Sequence, residues 1–363
     1  MKTSRASAGF CKERTLMEKQ NIERLKALVN AMGVSGEEQD VRALLKKDMI
    51  ADEWVSDRLG SLFALKRSKN PKAKTLMLAA SLDEEGLMVS EILPDGKLKF
   101  VTLEALSPAS LLHQQVCVYT REHQCFTGII GCDKIKFMET AANQIKMEDL
   151  SLDMGMSYEE ACDTFTIGDL ALIKGDFTML NEHCAMGKAL NNRLMLEVMI
   201  ELSQALQESE LDYHLAMGGI AQSVIGWRGS KTATYVIQPD AALVLTGFDT
   251  ANSQPAAKRG KGVTVGIYDK QMLPGKRLLH DFMDKVQPCQ EYLGIYGNDG
   301  SFIHKTLKGT PTLSLGIAMS HLGSNHILAD LNDAECLKKE LVKYLSGLSS
   351  EDIESFGYGV CYD

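Results

Sequence analysis

Residues 75–86 read TLMLAASLDEEG: seven uncharged residues, then Leu, then three consecutive acids and a glycine. A strand with one wet face alternates apolar and polar residues, whereas a strand covered on both faces is apolar at successive positions. Thr75–Ser81 therefore reads as a buried strand of a sheet flanked by helices. In such sheets ligands gather at the carboxyl ends of the strands. Ser81-Leu82-Asp83-Glu84-Glu85 is thus the first place to look for chemistry.

Towards the N-terminus, Ile22, Leu25, Leu28, Val29 and Met32 follow helical spacing, and Gly33 is expected as the residue after the helix. Ser35 is expected to cap a second helix running to about Met49, with Glu38 completing a capping box. Strand-like runs lie near Trp54–Val55 and Ser61–Leu65. Beyond Gly86 the pattern changes to short alternating runs: Leu87–Leu93, Leu98–Leu103, Val116–Thr120 and Cys125–Ile130. Pro94-Asp95-Gly96 between the first two is a hairpin signal. The stretch closes near Ile167–Lys174. Alternating elements then return: helices at Leu194–Leu206, Lys276–Val286 and Ala334–Leu348, strands at Tyr213–Met217, Ala241–Leu245, Val263–Tyr268 and Thr312–Ile317. The expected fold is α/β, a mixed sheet flanked by helices and interrupted by a small β-barrel-like insert. The expected boundaries are a disordered tail at 1–16 (Met17 being an alternative start), an α/β domain at 17–88 and 178–348, an insert at 89–177 and a tail at 349–363.

The 363 residues are 45% hydrophobic and 24% charged, an ordinary balance for a soluble globular chain. The net charge of −9 argues against a nucleic-acid partner. No apolar run approaches the roughly 18 residues of a membrane span, and residues 1–15 lack the apolar stretch of a secretory signal. Nine scattered cysteines without a CxxC pair predict no disulfide framework and a cytoplasmic location.

HExxH, P-loop, GxGxxG and GxSxG patterns are absent. The segments at predicted strand ends are 81–86, 189–193, 222–229, 245–247 and 320–326. The acids at 83–85 fit either a cation site or a solvated turn. Asn191 is a natural helix cap and, unlike Asp, carries no charge. His321 and His326 are the histidines near a strand end, and each alone reads as a surface residue.

Several segments, in order, carry a resemblance: LMLAASLDEEGLMV around Ser81, LSLDMG at Leu150–Gly155, IGDLALI at Ile167–Ile173, KALNNR at Lys188–Arg193, VIGWRGSKTA at Val224–Ala233, QPDAALVLT at Gln238–Thr246, YGNDG at Tyr296–Gly300 and KGTPTLSLGI at Lys308–Ile317. On these the chain resembles the glutamyl-aminopeptidase/cellulase-M family, which includes the tetrahedral aminopeptidases. The likeness runs from about residue 17 to 348. It implies a zinc-peptidase-like domain, a barrel-like insert that mediates association, and homo-oligomers.

The resemblance also implies two divalent ions such as Zn, Co or Mn, held by two His, two Asp and one Glu, with a further Glu activating the bridging water. Here the first His position holds Ser81, the bridging Asp Asn191, the base Glu Ser223, the ligand Glu Val224, the second Asp Thr246 and the last His Gly323. The orienting acid Asp83 remains. Ser, Asn, Thr, Val and Gly bring no charge to offset two dications. The expectation is a degenerate metal site without resident metal. Its vestigial cleft would be lined by Ser81, Asp83, Asn191, Arg193, Ser223, Val224, Thr246, Asp299 and Gly323. Such a protein would bind a peptide or small molecule there, or regulate an active relative by co-assembly. The alternatives are a hydrolase with metal ligands relocated to Asp83, Glu84, Glu85, Asp299, His321 and His326, and a ligand-free scaffold.

Overall fold

The computed structural model describes residues 16–104, 106–132, 145–251 and 256–359; residues 1–15 of the expected tail lie outside them. A mixed sheet forms in the order Glu53–Ser56, Leu62–Lys66, His214–Ile220, Thr75–Ser81, Ala241–Asp249, Thr312–Ser320, Ile327–Asp330, Cys184–Gly187 and Thr178–Met179. Val263–Tyr268 pairs beside Thr312–Ser320 and carries Gln290–Leu293 on its other edge. The four strands from His214 to Ser320 in this order run parallel. Their carboxyl ends therefore share one edge of the sheet.

The two-sided burial inferred for Thr75–Ser81 is visible in its period of two. Leu76, Leu78 and Ala80 enter one core with Leu243, Leu315 and the helix residues Leu194, Val198 and Leu337. Met77 and Ala79 enter a second core with Ala216, Val244, Ala233 and Ile303 on the opposite face. Each buried Leu contributes about 1.5–3 kcal/mol, so the consecutive apolar run holds both helix layers.

Six strands close into a barrel in the order Gly86–Ile92, Leu98–Thr102, Leu150–Asp153, Cys125–Cys132, Gln115–Tyr119 and Leu170–Ile173. Leu87, Val89, Leu98, Val116, Val118, Ile130 and Leu152 fill it. The Pro94-Asp95-Gly96 turn joins the first two strands, with the Leu93 N–H donating to the Lys97 carbonyl at 2.8 Å. Gly96 has φ +82°, and a Cβ there would sit 2.1 Å from the Met156 carbonyl, so only glycine serves. The first barrel strand begins directly after Glu85, which places the acidic run at the junction of barrel and sheet.

Several local expectations need correction. The helix Lys19–Asn30 ends on Ala31, not at Gly33. Gly33 lies under Arg193, whose Nη2 would be 2.1 Å from an added Cβ. The capping box at Ser35 does not form, because Ser35 Oγ donates to Asp83 Oδ2 at 2.6 Å. Glu38 instead accepts from the Gly36 and Gln222 N–H groups, both at 3.0 Å. The helix Arg228–Ile237 escaped the sequence reading because its buried face is Gly229, Ser230, Ala233 and Thr234, which leaves no apolar stripe. Residues 349–363 were expected as a tail, yet Ser350–Ser355 is a helix with a capping box between Ser349 and Asp352. Cys117 and Cys125, expected to be unpaired, are joined as a disulfide with Cα atoms 5.7 Å apart. The hairpin pairing of their strands brings them together. Among the described residues no helix is long and apolar enough to cross a membrane.

Candidate functional site

A cavity of about 640 Å³ opens at the carboxyl ends of the parallel strands. Ser81, Asn191, Ser223, Val224, Thr246, Asp299 and Gly323 all line it. Residues far apart in sequence thus converge: Ser81, Ser223, Val224, Thr246 and Gly323 lie near or just beyond the carboxyl ends of the parallel strands, and Asn191 and Asp299 at the starts of helices. Ser81 closes its strand opposite Ile220, and Thr246 lies in register with Gly316. A Cβ on Gly316 would fall 1.7 Å from the Thr246 carbonyl, so glycine permits this close approach.

Asp83 and Arg193, also expected on the wall, do not line the cavity. Asp83 is buried behind it and ties three segments together. Oδ2 accepts from Ser35 Oγ at 2.6 Å and from the Val224 N–H at 2.9 Å, and Oδ1 accepts from the Ser223 N–H at 3.0 Å. Arg193 is buried beneath, donating to the Leu82 carbonyl and, from Nη2, to Glu84 Oε1 at 3.0 Å. Lys188 Nζ reaches the same Glu84 carboxylate at 2.6 and 2.8 Å. Burial pushes the Lys188 ammonium below its ordinary pKa, against the pull of Glu84.

The polar groups at these positions bond to the protein itself. Asn192 Nδ2 donates to Ser81 Oγ at 2.5 Å. Asn191 Oδ1 accepts the Gly247 N–H at 2.7 Å, so its side chain does not cap the helix, which has no side-chain cap hydrogen bond. Ser223 Oγ donates to Asp299 Oδ1 at 2.7 Å, and Ser230 Oγ joins it at 2.6 Å. A pair of divalent ions needs about three charged or imidazole donors each. Here the six positions offer three hydroxyls, one amide oxygen and, from Val224 and Gly323, no side-chain donor, so this set does not fit two such ions. Nor are the relocated donors gathered. His326 Nδ1 pairs with Asn325 Oδ1 at 3.0 Å, and neither His321 nor His326 lines the cavity. Among the described residues no three His, Cys, Asp or Glu side chains converge as a metal group.

The sequence reading missed much of the cavity. Glu104, Asp249 and Asp269 line it, with Phe248, Tyr268, Tyr292 and Tyr296, beside Glu85 and Trp227 of the strand-end segments already named. The available signal was positional: Asp249 ends one strand and Asp269 directly follows another.

Burial raises several carboxyls around this site and the core. It pushes Asp83 and Glu85 up to about 7 and Asp299 up to about 6. Desolvation likewise pushes Glu197 up to about 7 despite the Arg24 guanidinium beside it. A carboxyl with a raised folded pKa holds its proton more tightly folded than unfolded. The resulting stability is full below the ordinary carboxylate range of about 4 and is lost as pH rises through the folded values. The chain is therefore expected to melt at a higher temperature near about pH 5 than near about pH 8. Thermal unfolding followed by circular dichroism checks this. A melting temperature that climbs across that interval contradicts it.

Comparison with known proteins gives the class. The profile of the M42 glutamyl aminopeptidase family matches residues 60–339. The chain belongs to this family. Among individual relatives it is 28% identical to the putative aminopeptidase FrvX of Escherichia coli (strain K12), covering 93% of this chain and 98% of that one. It is also 28% identical to a lysyl aminopeptidase of Pyrococcus furiosus, covering 86% and 93%. Among solved structures it is similar to a TET aminopeptidase of a marine-sediment Thaumarchaeota archaeon, with a TM-score of 0.87, 29% identity and coverage of 93% and 100%. The Pyrococcus horikoshii TET1 peptidase, which can assemble into a tetrahedron or a large octahedral shell, matches with a TM-score of 0.82, 25% identity and coverage of 90% and 100%.

Proposed function

We propose that this chain is a non-catalytic member of the M42 family that keeps the scaffold and uses the strand-end cavity to bind a peptide or small molecule. The observation that carries the reading is the donor set: Ser81, Asn191, Ser223, Val224, Thr246 and Gly323 line one cavity and present no carboxylate or imidazole there. Without bound metal, no water has its pKa lowered towards 7. Without a carboxylate at Ser223 or Val224, the general base that the family resemblance implies is missing from its position too. The cavity itself remains open, and its lining spans both the sheet edge and the barrel junction, which supports ligand binding over a purely structural role. Assembly into a homo-oligomer follows the TET relatives, whose fold this chain shares.

The test is hydrolysis of lysyl, glutamyl and leucyl peptides by the purified chain with added zinc, manganese or cobalt. Release of N-terminal residues is expected to stay at the level of buffer. Loss of both metal and base removes many orders of magnitude of rate, each factor of ten being about 1.4 kcal/mol of barrier. Metal-dependent release that disappears with chelator overturns the reading.

A further inference from the structure

A pair of cations stands beside the cavity on one aromatic ring. Trp227, half-buried on the cavity wall, packs against Phe302 with ring centroids 6.0 Å apart. Two ammonium groups share the Phe302 ring. Lys305 Nζ lies 4.2 Å and Lys231 Nζ 5.2 Å from its centroid. Both lysines are exposed. Lys285 rests on Tyr344 in a similar way, but Asp281 Oδ1 sits 2.8 Å from its Nζ. Lys231 and Lys305 form no ion pair with a carboxylate among the described residues. A ring face attracts an ammonium group, yet it does not remove the repulsion between two of them.

The chain builds this arrangement from two short helical segments. Trp227 precedes the helix Arg228–Ile237, and Lys231 follows it by one turn, on the same face. Phe302 lies in Gly300–Ile303, and Lys305 follows that helix. The two helices pack on one another. Trp227 has φ 54° and ψ 41°, a left-handed conformation that a bulky side chain rarely adopts. Its N–H donates to the Ser223 carbonyl at 2.7 Å. The segment that puts Ser223 on the cavity wall therefore also fixes the indole between that wall and the lysines.

We propose that the protein holds a short peptide by its free C-terminal carboxylate, which lies against the Lys231 and Lys305 ammonium groups, with the chain passing Trp227 and its N-terminal part inside the cavity. This names the ligand class within the binding reading above and rests on it. A carboxylate offsets the two like charges on Phe302 and forms charge-assisted hydrogen bonds with them. The same group is disfavoured deeper in. Glu85, Glu104, Asp249, Asp269 and Asp299 line the cavity, and no Lys, Arg or His side chain does, although Arg193 acts on Glu85 and His304 on Asp269 from outside the lining. An extended tetrapeptide spans about 13 Å, which covers the steps of 6.0 and 4.2 Å from Trp227 through Phe302 to Lys305.

Isothermal titration of the full chain with tetraalanine and with tetraalanine amide is the test. The acid is expected to bind about tenfold more tightly, because the amide loses two exposed charge contacts together. The double variant Lys231→Met, Lys305→Met keeps two unbranched apolar stems beside the ring, and circular dichroism verifies its fold. In it the two probes are expected to bind alike, at the affinity the parent has for the amide. Equal binding of acid and amide by the parent overturns the carboxylate assignment and leaves ligand binding standing. So does a preference for the acid that survives in the double variant. Binding of neither probe overturns the inference as a whole. Release of alanine from tetraalanine that requires added metal overturns the non-catalytic reading beneath it.

Discussion

Glu84→Gln is expected to lower stability by about 3–5 kcal/mol, seen as a marked fall in the urea midpoint. Glu84 is 3% exposed and sits between Lys188, 7% exposed at the side chain, and Arg193, 1% exposed. Its carboxylate is the shared counterion of two buried cations. Removing one partner of a buried ion pair leaves uncompensated charge, which is worse than removing the pair. Lys188 Nζ also donates to the Ala31 carbonyl at 3.1 Å, so the first helix is coupled to the same network. Part of the loss should return when Lys188→Met is added, because one orphaned charge then disappears. A midpoint within about 0.5 kcal/mol of the parent for Glu84→Gln would show that the network carries no such weight.

Installing the donor set that the family resemblance implies is expected to have the larger effect. The variant combines Ser81→His, Asn191→Asp, Ser223→Glu, Val224→Glu, Thr246→Asp and Gly323→His. Without metal it should melt well below the parent, since four carboxylates are introduced beside Asp299 with no cation to offset them. With zinc in large excess the stability should return, by about 4 kcal/mol when free metal is 1,000 times its dissociation constant. Gly323 sets a limit. It has φ +79°, a left-handed conformation in which a side chain costs roughly 1–2 kcal/mol. Nothing lies within 4 Å of its Cβ position, so the space for an imidazole is there although the backbone disfavours it.

The layered architecture was legible because its physics is local. Thr75–Ser81 and Val263–Tyr268 form over the same residues as their apolar runs, and the Pro94-Asp95-Gly96 turn was written in residue types with fixed backbone preferences. Elements were missed where burial uses small or polar side chains, as at Arg228–Ile237. Capping was misread at Ser35, because a carboxylate 48 residues away competes for its hydroxyl. At the site, strand-end logic singled out Ser81, Asn191, Ser223, Val224, Thr246 and Gly323, the family resemblance added Asp299, and all seven line one cavity. It misjudged Asp83 and Arg193, whose partners lie beneath that wall rather than within it. Glu104, Asp249 and Asp269 were not legible, since only folding brings them to the cavity that Glu85 also lines.

The metal content of the unaltered protein, measured by elemental analysis after dialysis against zinc, tests the central claim most directly. Far less than one zinc per chain is predicted for the parent, beside about two for the six-residue variant, as two-metal hydrolase sites hold. About two tightly held zinc ions in the parent, lost together on chelation, would contradict the account.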